Sequence, residues 1–327
     1  MITVYTLVDE HLEQGDITAL SPAALWIDLL EPTAEEKEAV QAMLAIDIPT
    51  REEMQEIEAS SRLYRESEAL YMTAPILSNV DSRRPQGAAI TFILTRLCTI
   101  TVRYATPLSF ITFAHRATRQ RGLCMTPDAV LSGLLETIID RIADIMERIG
   151  NDLDSISHEI FRPDYQDSGD TPQNKPRNDL QEILRSIGRN GDLSSKARDT
   201  ILGIGRMITF LSQGDDVPAR KEIRLRAKTM TRDIRSLTEH ASFLSNKINF
   251  LLDATLGMIN IEQNNIIKIF SVVAVVFLPP TLIASIYGMN FKFMPELDFD
   301  YGYIMALLMM VVSVATPYFF FKRKGWL

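Results

Sequence analysis

Two stretches near the end of the chain carry no charged side chain, Ile269 to Phe291 and Tyr301 to Phe321. Each is close to the roughly 20 residues that a helix needs to cross a hydrocarbon layer. A helix buried in a soluble core seldom runs so far without one ionisable group. Inside lipid every backbone polar group must be bonded internally, so both runs are predicted as membrane-spanning helices. The average composition, 46% hydrophobic and 23% charged, hides this division, because almost every charge lies at or before Lys268.

The flanks give an orientation. Lys322, Arg323 and Lys324 follow the second run directly, and positive juxtamembrane clusters mark the cytoplasmic side. Two spans return the chain to the side where it began, so both termini are expected in the cytoplasm and the protein in the cell (inner) membrane. No basic, apolar leader opens the sequence, and no cleavable signal peptide is expected. Tyr301, Tyr303 and Trp326 suit interfacial anchors. The outer loop, 288–302, sets Lys292 against Glu296, Asp298 and Asp300, which reads either as a lure for cations or as ordinary solvation.

Before the spans, short β-branched and aromatic runs predict strands at Ile2 to Leu7, Leu25 to Leu29, Leu70 to Leu77, Ala89 to Thr95, Cys98 to Tyr104 and Phe110 to Phe113. Thr33 to Ala45 reads as a helix opened by Pro32 and Thr33, and 83–87 as a hairpin turn. Strands mixed with a helix predict an α/β layer domain over 1–125. Helical spacing of Leu131, Leu134, Leu135, Ile138, Ile142, Ile145 and Ile149 then opens a helical hairpin over 126–217. Polar breakers at 166–178 and 213–218 end its two antiparallel helices. The first is acidic, with eleven carboxylates against three arginines from Asp128 to Asp170; this is either a solvated face or a surface that gathers cations. No breaker follows Pro218 until Pro279. Sixty helical residues would reach about 90 Å, too long for one core but suited to a stalk, 218–268, leading to spans at 269–287 and 303–321 and a basic tail at 322–327. The fold class is thus α+β, with long helices and two C-terminal transmembrane helices.

Several function classes are excluded at this level. A net charge of −8 argues against a nucleic-acid partner, which needs clustered Lys and Arg. No P-loop, GxGxxG, GxSxG or HExxH is present, so neither an enzyme nor a nucleotide partner is expected, and no cofactor. Cys98 and Cys124 have no metal spacing and read as small buried apolar groups. His11, His115, His158 and His240 are scattered and do not suggest a zinc site.

One face of the stalk and first span is different. Steps of four and three from Asp253 pass through Gly257, Asn260, Asn264, Ile267, Ser271, Ala274, Leu278, Thr281, Ser285 and Gly288. This 3.5-residue repeat keeps one stripe toward a bundle axis. Small and polar residues can serve tight helix packing. Alternatively, several copies of the helix ring a water-filled path lined by their oxygens. The chemistry favours the second reading. Asp253, Asn264, Thr281 and Asn290 offer hard oxygens suited to Mg²⁺, which sheds water reluctantly and would be met through its own waters. Leu278 and Ile267 would form apolar constrictions able to gate by dewetting.

Tyr287-Gly288-Met289-Asn290-Phe291, followed by Met294-Pro295-Glu296-Leu297 and a tail ending Trp326-Leu327, resembles the CorA magnesium channels. Their signature is Gly-Met-Asn at the outer end of the first of two C-terminal spans. The resemblance implies a homopentameric funnel carrying Mg²⁺ inward, and also Co²⁺ and Ni²⁺. It implies a selectivity ring of Gly288, Met289 and Asn290, with Asp253, Asn260, Asn264, Ile267, Ser271, Ala274, Leu278, Thr281 and Ser285 facing the pore. Where some relatives place a leucine at the hydrophobic gate, this chain has Phe270. It implies closure by intracellular Mg²⁺, although Thr229 stands where some relatives carry a sensing aspartate, with Asp233 one turn along, so the regulatory residues stay unassigned. Rival expectations are a zinc transporter of the same superfamily, set against the intact Met289, and a membrane-tethered scaffold, which leaves the oxygen stripe unexplained.

Overall fold

The computed structural model describes residues 1–56, 58–66, 68–82, 85–161, 180–213, 220–290 and 300–325. They form two compact units, Met1–Leu252 and Asp253–Leu327. The first contains one seven-stranded sheet in the order β2-β1-β3-β7-β6-β5-β4. Its strands are β1 (Ile2–Val8), β2 (His11–Gly15), β3 (Ala24–Leu30), β4 (Leu63–Glu66), β5 (Ala69–Ser78), β6 (Gln86–Leu94) and β7 (Thr99–Arg103). Every pairing is antiparallel except β3 with β7.

That central parallel pair is buried on both faces, as parallel strands usually are. Ile27, Leu29, Ile100 and Val102 point into a core closed by Val40 of helix α1 (Ala34–Leu44) and by Ile46, Ile48 and Met54. Helix α1 starts where its sequence says it should. Thr33 accepts from the Glu36 amide while the Glu36 carboxylate receives the Thr33 amide, a complete capping box. A four-residue turn, α2 (Ala59–Arg62), precedes β4.

On the opposite face the alternate residues build a polar network. The Trp26 indole N–H donates to Thr101 Oγ1 at 3.0 Å, and the Thr101 hydroxyl donates to Asp28 Oδ1 at 2.7 Å. Arg103 Nη2 donates to Asp28 Oδ2 at 2.7 Å and its Nη1 to the Ala105 carbonyl. Buried polar groups persist only when satisfied in this way. Tyr5 stacks on Trp26 with ring centroids 4.2 Å apart, and burial pushes its phenol up to about 12.

The strand predicted at Phe110 to Phe113 is a helix, α3 (Leu108–Ala117). Its buried residues, Ser109, Phe110, Phe113 and Ala117, recur at helical spacing, and Pro107 occupies the N-cap. A run of four residues was too short to separate the two periods. Phe113 meets Trp26 edge-on and Phe110 lies near Phe92, so α3 lids the sheet. The edge strands β2 and β4 were not foreseen; β2 buries fully only Leu12, leaving little alternation to read.

Helices α4 (Pro127–Ile160) and α5 (Leu180–Gln213) complete this layer, α4 opening with Thr126 capping the Ala129 amide and Pro127 in the first turn. The apolar set from Leu131 to Ile149 is buried as its spacing requires. Helix α6 runs unbroken from Arg220 to Tyr287, and its first part belongs to this unit. Arg226 pairs with Glu136 and Lys247 with Asp154, so α6 runs parallel to α4. Gly205 lies against Ile234 and Gly191 against Ile248, so α5 runs antiparallel to α6 and hence to α4. Both cysteines are free and buried, their thiols pushed up to about 11 by burial. The predicted breakers at 166–178 and 214–218, and the tip of the hairpin turn at 83–84, lie outside the described residues.

Candidate ion-conducting site

The second unit holds the end of α6 and helix α7 (Gly302–Arg323). Both have the length and apolarity of membrane spans, and only 6% and 11% of their most apolar windows are buried. A soluble core helix would be mostly covered. These apolar surfaces need lipid or other copies of the helix to shield them.

On α6 the stripe positions follow one another along one side of the helix, and much of the rest of the span is exposed too. Asp253, Asn260, Asn264, Ile267, Ser271, Ala274, Leu278, Thr281 and Ser285 are all exposed in the isolated chain, and Gly257 is half-covered. The better-covered residues in the span are Val272, Val276, Pro279, Pro280, Ile283 and Tyr287. At about 100° per residue they lie on the side roughly opposite the stripe. Pro279 and Pro280 share two apolar cavities with α7, of about 720 and 360 Å³. The helix therefore sets Pro279 and Pro280 beside its own α7 and leaves the stripe uncovered, together with the bulky Phe270, Phe277 and Leu282.

The two prolines remove amides that would have bonded the carbonyls of Val275 and Val276, yet the helix continues through them to Tyr287. Hydroxyls on the stripe are engaged with backbone: Ser271 Oγ donates to the Ile267 carbonyl at 2.8 Å and Thr281 Oγ1 to that of Phe277 at 2.7 Å. Each hydroxyl spends its hydrogen on the helix, so its lone pairs remain available to water or a hydrated cation.

Gly288, Met289 and Asn290 leave the helix directly after Tyr287. The Gly288 amide donates to the Ala284 carbonyl at 2.9 Å and the Met289 amide to that of Ile286 at 3.2 Å. All three residues are exposed. Phe270, 71% exposed, stands at the edge of the stripe beside Ser271. Phe291, Glu296 and the rest of the outer loop to Leu297, with Trp326 and Leu327, lie outside the described residues.

Asn264 and Thr281 are separated by about 26 Å along one helix at 1.5 Å per residue. One chain therefore cannot bring its oxygens together on one ion, and no cluster of three or more His, Cys, Asp or Glu suited to a metal occurs among the described residues. An ion could be surrounded at these levels only by equivalent residues of several copies.

Sequence reasoning missed the charges that fasten α4 to its neighbours. Burial raises the Glu136 carboxyl, opposed by the Arg226 and Arg116 guanidiniums, and burial likewise raises Asp140. Glu136 is thus partly buried between helices, while Asp140, Asp144, Glu147, Asp152, Asp154 and Glu159 are exposed along α4. These interactions join residues on separate helices, and no local pattern signals them.

Fold and site together define a two-span membrane protein with a large mixed-sheet domain and an oxygen-bearing first span. The family described as CorA-like Mg²⁺ transporter protein matches residues 22–323. The chain is 37% identical to a magnesium transport protein CorA of Haemophilus influenzae and 35% identical to that of Escherichia coli K12, with 100% of each chain covered. The chain belongs to the CorA family, whose members are transporters rather than enzymes. Among solved structures, the complete CorA of Methanocaldococcus jannaschii superposes with TM-score 0.73 over 100% of this chain and 98% of that one, at 18% identity. The cytoplasmic domain of a ZntB from Vibrio parahaemolyticus gives TM-score 0.57 over 79% of this chain and 97% of that one, at 9% identity. Both likenesses speak for the fold.

Proposed function

We propose that the protein is a homopentameric channel that admits Mg²⁺, and also Co²⁺ and Ni²⁺, down its electrochemical gradient. The observation that carries this reading is the uncovered stripe on α6, oxygen-bearing along most of its length and turned away from α7. In a ring of such helices the stripe faces the axis. Asn290 supplies neutral amide oxygens at the outer mouth, where they meet the ion through its waters. Gly288 and Met289 complete that ring, Thr281 and Asn264 repeat it deeper, and Asp253 adds charge near the inner end. Leu278 and Ile267 narrow the path with apolar rings, Phe270 flanking the lower one. The acidic outer loop with Glu296 concentrates cations ahead of the filter.

The spans are 269–287 and 303–321, joined outside by 288–302. The 1–125 sheet domain, the 126–217 helices, the 218–268 stalk and the basic tail lie in the cytoplasm, and the membrane is the inner one. No nucleotide hydrolysis is needed. A potential of 100 mV contributes about 4.6 kcal/mol to a divalent ion, twice the single-charge value. Occupation of sites between cytoplasmic domains by intracellular Mg²⁺ closes the channel.

Cross-linking of the detergent-purified chain tests the ring, and a ladder ending at five copies is expected. A ladder that stops at one or two overturns the pore. Hexaamminecobalt, a mimic of hydrated Mg²⁺, should block uptake, and excess Zn²⁺ should compete poorly. The reverse order would make this a zinc transporter.

A further inference from the structure

From Ser82 to Pro127 the sequence contains seven arginines and a histidine but no Asp or Glu, in a chain whose net charge is −8. Two of these arginines are spent locally, Arg103 on Asp28 and Arg96 on Glu68. Three of the basic side chains gather elsewhere. His115, Arg116 and Arg119, with Thr112 and Gln120, line an open surface depression of about 450 Å³ at the end of α3; all but Arg116 are exposed, and no carboxylate lines it.

The hydrogen bonding there is incomplete. Arg116 Nε is buried and meets no acceptor among the described residues. Asp140 and Glu136 of α4 act on Arg116 through their charge, without a hydrogen bond to it. Arg119 and His115, both exposed, likewise form no side-chain hydrogen bond or ion pair among the described residues. A buried donor left unmatched is rare in native proteins and calls for an ion, a water or a ligand. Guanidinium groups present paired donors that match the oxygens of phosphate. The depression is of small-molecule size and exceeds what inorganic phosphate alone would fill.

We propose that the depression at the end of α3 binds a small organic phosphate from the cytoplasm, with Arg116 and Arg119 on its phosphate oxygens. The lack of a P-loop rules out a backbone cradle for phosphate, not this guanidinium-lined one. The site is independent of the pore and would make the soluble domain responsive to a metabolite as well as to metal.

The test uses the full chain in nanodiscs of zwitterionic lipid, with EDTA present so that no divalent ion bridges protein and ligand. Mg²⁺-free ATP is the polyphosphate probe and inorganic phosphate the minimal one. Saturable ATP binding at one site per chain is expected, tighter than phosphate. Arg119→Glu should weaken it at least about tenfold and Arg119→Lys less, in keeping with the loss of a charge-assisted bond. Arg119 is exposed, so an unchanged melting midpoint will show that both variants fold. Absence of saturable binding by the wild type, or equal affinity in Arg119→Glu, overturns the proposal. So does binding of phosphatidylglycerol nanodiscs to this face that ATP does not displace, which would make the ligand a lipid headgroup.

Discussion

Arg103 and Asp28 face each other across the one parallel strand pair of the sheet, Nη2 to Oδ2 at 2.7 Å, with both side chains less than a tenth exposed. Breaking such a pair from one side strands a buried charge, which costs about 3–5 kcal/mol. Asp28→Ala is therefore expected to lower unfolding stability by that amount. Joint replacement of Asp28 and Arg103 by Leu and Met should recover much of the loss. Denaturation followed by the fluorescence of Trp26, which belongs to the same network, measures both.

The same network sets an alkaline limit. Burial, the largest cause, and the Asp28 carboxylate together raise the Tyr5 phenol to about 12, against an opposing effect of Arg103. The unfolded chain loses this proton near 10 and the folded chain near 12. The contribution is thus whole below pH 10 and lost as pH rises toward 12, roughly 2–3 kcal/mol in all. Tyr5→Phe should flatten that part of the stability profile, and melting points between pH 9 and 12 will show it.

Gly133 admits α4 against α3. A Cβ there would stand 2.7 Å from Phe113 Cε2, and Phe113 is wholly buried. Gly133→Ala should cost about 1–3 kcal/mol by overpacking, read from urea unfolding of the full chain. Gly133→Ala combined with Phe113→Leu should cost less than the sum of the two.

Gly288 is placed under a different constraint, since a Cβ would lie 3.1 Å from the Ala284 carbonyl oxygen that its own amide bonds. A side chain here displaces the turn that carries Met289 and Asn290, without touching the soluble core. Gly288→Val should reduce Mg²⁺ flux at least about tenfold while unfolding stability stays within about 0.5 kcal/mol of wild type. Isotope uptake alongside thermal unfolding separates the two effects.

The legible parts of this chain were those governed by neighbours in sequence. Thr33 and Glu36 form their cap within one turn. The spans announce themselves because lipid tolerates no charge over twenty residues, and the stripe because a 3.5-residue repeat is written in spacing alone. The Phe110 to Phe113 run failed because four apolar residues fit either period, and only Trp26 and Phe92, distant in sequence, decide what packs on them. β2 failed because an edge strand shows one buried residue. The pairing of Lys247 with Asp154 spans 93 positions, and the crowding of Arg116 with Glu136 and Asp140 arises from packing between separate helices. Sequence places each oxygen of the stripe on one face of α6; the proposed pore depends on contacts between chains, which spacing within one chain does not encode.

Uptake into proteoliposomes containing only this protein tests the central claim most directly. With a potassium diffusion potential holding the interior negative, wild type should accumulate Mg²⁺ without ATP, and Asn290→Ala should fall at least about tenfold. Uptake indifferent to voltage, or undiminished in Asn290→Ala, would contradict a passive pore selecting hydrated Mg²⁺ at that ring.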